Sequence, residues 1–491
     1  KGPQKGTIYD PNDVTRTTIK ETNIHDNRTG NVQQGSGALI KPSGVVRDPD
    51  DIAKTTIKET LDNEDTDRNR LVEGAVENLI KTLNWVGIEY DEGPDKDGAF
   101  GPYYQSKRLN IYQKYIQKLL DNQKAYPCFY SKERLQKIKQ DKIPSNILTQ
   151  QDKKYRHIPL EEALIRMKNE DYVIRLKTPL EGNIDYQDIV RGKLKFDLSL
   201  IEDQILIKSD GYPTYHFANV VDDHLMQISH VIRGEEWIAS MPKHLLLYKY
   251  FGWEIPSFIH LPLILNKDKT KLSKRQNDVA VEDYIKNGYL KTSFINYLSL
   301  LGWHGSGDRE VYTKSELVKF FSINRIQKSG AIFDIKKLNW MNNYYIKELK
   351  PHQILELYSQ LYVSENKITE PMIELIYEKI ERLIDTPKEL KFFYNYEIES
   401  NECQEILNDT ISKKIFKKIL FYFKKIKTLN SQIFKNIIFD IQNELNVKGK
   451  KLWMPIRISL TGKMHGPDIG RIVEIMGKEK CIKRISKHID V

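Results

Sequence analysis

The chain changes its character at about residue 62, and this change limits how much of it can share one fold. The first 61 residues hold few aromatic side chains and many Thr, Asp, Asn, Gly and Lys residues. Within them the segment 10–22 recurs as 48–60, and both copies end in Thr-Thr-Ile-Lys-Glu-Thr. Two copies of a short repeat rarely bury a core of their own. We therefore expect 1–61 to be a separate, loosely ordered segment.

From residue 62 onward the pattern is typical of an α/β protein. Apolar residues at helical spacing from Leu71 to Leu83 predict an amphipathic helix. Further predicted elements are a helix around 109–120, strands at 172–177 and 204–208, and a strand through Val231-Ile232 that runs into Gly234 and a helix near Glu235. A strand–loop–helix step of this last kind is where α/β sheets place ligands. Beyond residue 350 the pattern is almost entirely helical.

Composition restricts the class of protein. The 491 residues carry a net charge of +10, and residues 411–491 alone hold 19 basic and 6 acidic side chains, which favours contact with RNA there. Three widely spaced cysteines exclude a disulfide scaffold and a four-cysteine zinc site, so no zinc and no other protein-bound metal is expected. No stretch reaches 18 consecutive apolar residues. We expect a soluble, monomeric cytoplasmic protein without a membrane partner, with an organelle matrix as the alternative compartment.

A basic segment, Asp268-Lys-Thr-Lys-Leu-Ser-Lys-Arg275, follows the apolar run 261–265. Four basic side chains and two hydroxyls within eight residues can stabilise the charge that grows on a polyphosphate in a transition state. A solvated basic turn is the alternative interpretation.

The part 271–275 of this segment resembles the signature loop of class I aminoacyl-tRNA synthetases, in the form used by glutamyl-tRNA synthetases. Further blocks similar to that family follow one another in order over about residues 62–491: Glu64-Asp-Thr-Asp67, 101–108, 209–223, Val231-Ile-Arg-Gly-Glu-Glu-Trp237 and 460–466. The repeat in 1–61 is weakly similar to repeated segments in proteins of large DNA viruses.

The resemblance implies a Rossmann-type catalytic core, split into 62–109 and 215–262 by an α+β acceptor-binding insertion at 110–214. A signature-loop and stem-contact region at 263–350 and an all-helical anticodon-binding region at 351–491 would follow. Each of these boundaries is an expectation carried over from the family.

The resemblance also implies site residues. Glu64, Tyr215, Asn219 and Arg233 would bind glutamate, and an arginine fork suits a carboxylate. ATP would lie against Glu236, Ile264, Lys271 and Lys274, and Trp237 would wall the pocket. The implied catalytic residues are Lys271, Ser273, Lys274 and Arg275. Thr66 and Asp67 would contact the 3′ end of tRNA.

Alternative interpretations exist for the same residues when the motif is set aside. Tyr215 and Trp237 would then pack in the core, and Arg233 would form an ion pair with Glu235 or Asp222. Asp222-Asp223 would cap a helix or a turn.

The implied function is ATP-dependent activation of L-glutamate and its transfer to tRNA(Glu), with tRNA(Gln) as a further candidate and Mg²⁺ entering with ATP. Glutaminyl-tRNA synthetase is the alternative within the class, but its anticodon part is built of β-barrels. A non-catalytic tRNA-binding or virion-associated fusion protein is the alternative outside it.

One family feature is not found in residues 1–61. The family opens with a strand leading into a His-x-Gly-His helix start that binds the ATP phosphates. Residues 1–61 contain a single histidine, His25, and Leu61-Asp-Asn63 stands where a strand into Glu64 is expected. We therefore expect an incomplete Rossmann sheet, without its first strand and helix, and impaired amino-acid activation.

Overall fold

The computed structural model describes residues 15–21, 57–63, 65, 74–130, 155–272 and 280–489, and at 15–21 and 57–63 it describes the backbone alone. The chain divides into two compact units. The first comprises Lys1–Leu272 and Leu298–Phe333, and the second comprises Ser273–Tyr297 and Asp334–Val491.

The described strands all belong to the first unit. In chain order they are β1 (Thr15–Glu21), β2 (Ile57–Asn63), β3 (Ala125–Cys128), β4 (Val173–Leu176), β5 (Asn183–Asp188), β6 (Gly192–Asp197), β7 (Ile205–Ile207), β8 (Ile228–Gly234), β9 (Ser257–Leu261), β10 (Ile264–Leu265) and β11 (Ala331–Ile332). The main sheet has the order β2-β1-β8-β9, and smaller sheets are β3-β4-β7, β5-β6 and β10-β11.

The described helices up to residue 347 are α1 (Ala75–Val86), α2 (Leu109–Asp121), α3 (Leu160–Arg166), α4 (Tyr215–Leu225), α5 (Met241–Phe251), α6 (Val281–Lys286), α7 (Lys291–Leu300), α8 (Lys314–Phe320) and α9 (Ile335–Lys347). After them come α10 (Pro351–Leu361), α11 (Glu370–Ile376), α12 (Thr386–Tyr394), α13 (Asn401–Asn408), α14 (Thr410–Lys425), α15 (Ser431–Leu445), α16 (Lys450–Thr461), α17 (Ile469–Met476) and α18 (Lys478–Ser486). None of the helices in the described ranges is long and apolar enough to span a bilayer.

The sequence-based expectations for α1, α2, β4, β7 and β8 are confirmed within a few residues. The helical prediction for the C-terminal part is also confirmed in the residues described there, 351–489. In α14 the pattern is easy to follow, because Asp409 caps the first turn and Ile415, Ile419 and Phe423 are fully buried at helical spacing.

The centre of the main sheet is a parallel β–α–β unit. Strands β8 and β9 pair in parallel register, and α5 connects them. Buried apolar side chains from α5, such as Leu245, pack in one core with Val231 of β8 and Phe258 of β9. A parallel pair of strands needs such a crossover, and it brings the carboxyl ends of both strands to one edge.

The N-terminal repeat contributes two strands to this sheet, so the expectation of loose order fails at these two stretches. Strands β1 and β2, one from each copy, pair antiparallel from Thr15↔Asn63 to Glu21↔Ile57. β1 then pairs antiparallel with β8 at Ile19 and Lys20, with a register irregularity. The β-branched Thr and Ile residues of the repeat favour strands, and β8 offers an edge of backbone hydrogen-bonding groups. The sequence predicts an incomplete Rossmann sheet that lacks its first strand. In the structure β1 lies beside β8, but it runs antiparallel to β8.

The acidic pair Asp222-Asp223 lies inside α4 rather than at a helix start, so its interpretation as a cap is wrong. Asp222 is fully buried, and its carboxylate accepts from Arg108 Nε at 2.8 Å and from the Tyr112 hydroxyl at 2.7 Å. Gln105 donates to it at 3.1 Å. Asp222 therefore pairs with Arg108 and ties α2 to α4.

Replacing Asp222 with Ala is expected to destabilise the first unit by about 3–5 kcal/mol, because it leaves the Arg108 guanidinium buried without its counter-charge. Urea unfolding followed by circular dichroism measures the effect. The control is Lys249→Ala on the exposed face of α5, which should change the unfolding free energy by less than about 0.5 kcal/mol. Equal urea midpoints for Asp222→Ala and Lys249→Ala would contradict the structural role assigned to the Asp222–Arg108 ion pair.

Candidate functional site

The carboxyl edge of β8 and β9 carries the predicted site. Arg233 and His260 are partners in the parallel register of these two strands. Beyond Gly234 the chain enters a short 3-10 helix, Glu235–Ser240, that leads directly into α5. Because both strands end at this edge, the residues that follow them converge there, as in other α/β sheets.

Arg233 is 1% exposed and is held by uncharged groups. Its Nε donates to His260 Nε2 at 3.0 Å, and one terminal nitrogen lies 3.2 Å from His244 Nδ1. The other terminal nitrogen lies 3.0 Å from Met241 Sδ and 3.5 Å from the Trp237 carbonyl oxygen. Among the residues that the structure describes, no carboxylate forms an ion pair with Arg233, so the alternative of a pair with Glu235 or Asp222 is wrong. A buried cation without an acid beside it is suited to an anionic ligand.

His260 connects Arg233 to an acid on a third strand. Its Nδ1 lies 2.7 Å from Asp188 Oδ2, and both residues are fully buried. The other Asp188 oxygen accepts from the backbone N–H groups of Val190 at 3.0 Å and Arg191 at 2.7 Å. A carboxylate only accepts, so we assign the imidazole proton to Nδ1, which leaves Nε2 to accept from Arg233.

His244 and His216 continue this arrangement on the other side of the guanidinium. Since Nδ1 of His244 accepts from Arg233, its Nε2 carries the proton and donates to His216 Nδ1 at 3.1 Å. Burial lowers the pKa of His216 to about 3. Burial also lowers the pKa of His260, although the hydrogen bond to Asp188 opposes this effect. Both of these rings are therefore neutral at pH 7.

Two of the predicted glutamate ligands lie on one face of α4, four residues apart. The Tyr215 ring lies 4.6 Å, centroid to centroid, from the Trp237 ring. Asn219 is 1% exposed, and within the described ranges its Oδ1 is buried without a hydrogen-bond partner. The same holds for one carboxylate oxygen of Glu236. Buried polar atoms in native proteins are nearly always paired, so these two oxygens are candidates for ligand contacts.

The start of the signature segment lies against Glu236. Lys271 Nζ is 2.9 Å from Glu236 Oε1, and the lysine side chain is 51% exposed. A tight turn precedes it, in which Asp268 accepts from the backbone N–H of Thr270 at 3.0 Å. Leu272 then donates to the Ile264 carbonyl at 3.0 Å, which places Ile264 beside the segment. An exposed ion pair of this kind contributes little to stability, so Lys271 is available to another anion.

The structure thus gathers six predicted site residues around the ends of β8 and β9: Tyr215, Asn219, Arg233, Glu236, Ile264 and Lys271. The other predicted residues, Glu64, Thr66, Asp67, Ser273, Lys274 and Arg275, lie outside the described residues.

Sequence reasoning missed Asp188, His244 and His260. His260 did leave a signal, because it is the only polar residue in the run Phe258–Leu265 and polar groups in buried strands need partners. Asp188 and His244 left none, since nothing near them in the sequence indicates a common site. Glu235, the suggested partner of Arg233, instead lies 2.9 Å from Arg191.

The described residues contain no group of three or more His, Cys, Asp or Glu side chains that could hold a metal ion. Cys128, Cys403 and Cys481 are buried and form no disulfide. The absence of zinc stays a prediction.

Known protein families resemble this chain along most of its length. The model for the catalytic domain of class I tRNA synthetases (E and Q) matches residues 58–340, and that for an anticodon binding domain matches 342–489. The glutamate–tRNA ligase of Clostridioides difficile is 42% identical over 445 residues, covering 86% of this chain and 90% of the relative. That of Alkaliphilus metalliredigens is 41% identical with the same coverage.

Solved structures agree with the sequence relatives. A glutamate tRNA ligase from Elizabethkingia meningosepticum, in complex with its amino acid, superposes with a TM-score of 0.77 at 33% identity, covering 87% of this chain and 91% of that one. The glutamate–tRNA synthetase of Elizabethkingia anophelis superposes with a TM-score of 0.76 at 34% identity, covering 87% of this chain and 92% of that one. This chain belongs to the glutamate–tRNA ligase family of class I tRNA synthetases.

Proposed function

We propose that this chain acts on L-glutamate, ATP and tRNA as a glutamate–tRNA ligase. In the first step a glutamate carboxylate oxygen attacks the α-phosphorus of ATP, and the bond to the β-phosphate breaks to release pyrophosphate. In the second step the 3′-terminal hydroxyl of tRNA attacks the acyl carbon, and AMP leaves. Most of the rate enhancement in such steps comes from positioning and charge stabilisation.

The observation that carries the proposal is the buried Arg233, surrounded by neutral acceptors. A glutamate side-chain carboxylate would supply the missing negative charge through paired N–H···O bonds. A glutamine side chain would not, because its amide is neutral and offers one carbonyl acceptor, while its NH₂ group would face a guanidinium that only donates. Trp237 stands over the guanidinium, with its ring centre 6.0 Å from Arg233 Cζ.

ATP would occupy the side of the site that contains Glu236, Ile264 and Lys271. The triphosphate, with its Mg²⁺, would compete with Glu236 for the half-exposed Lys271 ammonium. Lys274, together with Ser273 and Arg275, would extend this positive segment toward the departing pyrophosphate. Glu64 would bind the ammonium group of glutamate, and Thr66 and Asp67 would contact the 3′ end of tRNA. These assignments rest on the family resemblance.

The tRNA would contact the basic C-terminal region. On α14, Lys414, Lys417 and Lys418 line a surface pocket of about 360 Å³ together with Phe421. Exposed aromatic and basic side chains next to one another suit an unpaired base and its phosphate. The helical build of this region weighs against the glutaminyl alternative. We include tRNA(Gln) as a second acceptor and a monomeric, cytoplasmic enzyme in the proposal.

Two assays on the full chain test this function. ATP–pyrophosphate exchange, run with and without tRNA, measures the first step, and filter binding with individual tRNA species measures the other substrate. We expect exchange that depends on L-glutamate and binding that selects among tRNA species. Exchange supported equally by L-glutamine, or equal binding of all tRNA species, would contradict the proposal.

The Arg233→Gln variant is expected to bind glutamate about 10–100-fold more weakly, because it removes charge-assisted hydrogen bonds to the carboxylate. Isothermal titration calorimetry with L-glutamate and L-glutamine measures the change, with Lys249→Ala as the control. The preference of the parent chain for glutamate should disappear in Arg233→Gln. A retained preference would place the carboxylate elsewhere.

The double variant Lys414→Ala/Lys417→Ala is expected to weaken tRNA binding and to reduce its salt dependence. If each lysine contacts a phosphate, the slope of log affinity against log salt falls by about 0.7–0.9 per lysine. Filter binding over a series of salt concentrations measures the slope. The matched control is Lys249→Ala, an exposed lysine on α5 outside the acceptor-binding insertion and the anticodon-binding region. A salt slope of the double variant identical to that of the control would exclude the α14 surface.

A further inference from the structure

We propose that Asp188 and His260 are positioning residues for glutamate: Asp188 holds His260 in the tautomer that accepts from Arg233, and this orients the guanidinium toward the substrate carboxylate. The inference rests on the proposed function in one respect, namely that Arg233 binds a carboxylate of glutamate. Neither residue belongs to the set that the sequence motifs indicated.

Three strands hold this chain of hydrogen bonds in place. Asp188 ends β5, His260 lies on β9, and Arg233 lies on β8 directly beside His260 in the parallel register. The backbone N–H of Ile189 donates to the Phe258 carbonyl at 3.1 Å, which fastens the end of β5 to β9. Arg191 Nε donates to the carbonyl of His260 itself at 3.0 Å. Asp188 and His260 are therefore held from both sides before any substrate binds.

The imidazole between the acid and the guanidinium has a chemical consequence. A direct Asp–Arg pair would occupy the arginine fork on two nitrogens and neutralise it. Here His260 takes only the Nε–H of Arg233, and His244 takes one hydrogen of a terminal nitrogen. Both recorded contacts of the other terminal nitrogen are weak ones, to Met241 Sδ and, at 3.5 Å, to the Trp237 carbonyl. A carboxylate that displaces these two contacts exchanges weak bonds for strong ones.

Asp188 has two functions that one substitution can separate. Its Oδ1 accepts from two backbone N–H groups and holds the turn after β5, whereas its Oδ2 orients His260. In Asp188→Asn the amide oxygen can keep the turn, and the amide NH₂ then faces His260 Nδ1. That nitrogen must accept, so the proton moves to Nε2 and meets the Nε–H of Arg233, donor against donor.

The experiment is a double-mutant cycle on the full chain with Asp188→Asn, His260→Gln and the double variant. The Gln oxygen stands in for Nε2 and cannot change tautomer. We expect Asp188→Asn to raise the Kd for L-glutamate by about tenfold or more, and His260→Gln to raise it by only about threefold. In the His260→Gln background, Asp188→Asn should cause almost no further loss. The Kd for ATP should stay unchanged throughout.

The matched control is Asp185→Asn, on the same strand but exposed and close to Lys193 at 3.3 Å. It should leave the glutamate Kd unchanged. If Asp188→Asn does not fold, His260→Leu replaces it, since leucine fills the site without accepting. Loss of glutamate binding in His260→Leu but not in His260→Gln supports the proposal, and equal binding by the two overturns it.

A spectroscopic measurement separates this inference from the proposed function. Long-range ¹H–¹⁵N correlation spectra of histidine-labelled protein report which ring nitrogen carries the proton, and the His260→Gln variant identifies the His260 signals by their disappearance. We expect the proton on Nδ1 in the parent chain and on Nε2 in Asp188→Asn. An unchanged tautomer, or an unchanged glutamate Kd in Asp188→Asn, overturns the positioning role. A parent chain that binds no glutamate overturns the proposed function and with it the role in glutamate binding, whereas the tautomer still shows whether Asp188 sets the position of the His260 proton.

Discussion

A buried guanidinium held by two imidazole nitrogens is the constraint on which the catalytic unit depends. Arg233 has lost nearly all contact with water, yet its partners in the described residues are neutral. Burial of a charge is tolerated only when hydrogen bonds and a nearby opposite charge compensate it. Here the hydrogen bonds belong to the protein, and the nearest acid of the network, Asp188, lies beyond His260. In the proposed function the glutamate carboxylate supplies the direct counter-charge.

The fold explains why this arrangement is possible. Parallel pairing of β8 with β9 brings Arg233 next to His260, and the crossover helix α5 returns His244 to the same guanidinium. The 3-10 helix after Gly234 carries Glu236 and Trp237 back over the edge of the sheet. Elements that are remote in the sequence thus meet where two parallel strands end, which is the usual ligand position in α/β sheets.

Local patterns predict α1, α2, β4, β7, β8 and the helical C-terminal part, because apolar periodicity is visible within a few residues. The proposed site residues come from the family resemblance instead. Local patterns could not predict pairings across the fold. Asp188 and His260 are 72 residues apart, and nothing beside Asp188 or His244 in the sequence indicates a common network. The strands of the repeat are hard to predict for a similar reason: its Thr and Ile residues favour strands, but only pairing between the copies and with β8 makes a sheet. The ion pair of Asp222 could not be predicted for the same reason, because its partner Arg108 is remote in the sequence.

The N-terminal strands extend the sheet beside β8 with antiparallel pairing. The proposed glutamate ligands Tyr215, Asn219 and Arg233 lie on α4 and β8, within the same compact unit. A crystal structure of the chain with L-glutamate tests the central claim most directly. We expect a glutamate carboxylate within hydrogen-bonding distance of the terminal nitrogens of Arg233, with the His260 and His244 contacts retained and Trp237 displaced. Glutamate bound away from Arg233, or an Arg233 that leaves His260 to reach it, would contradict the account.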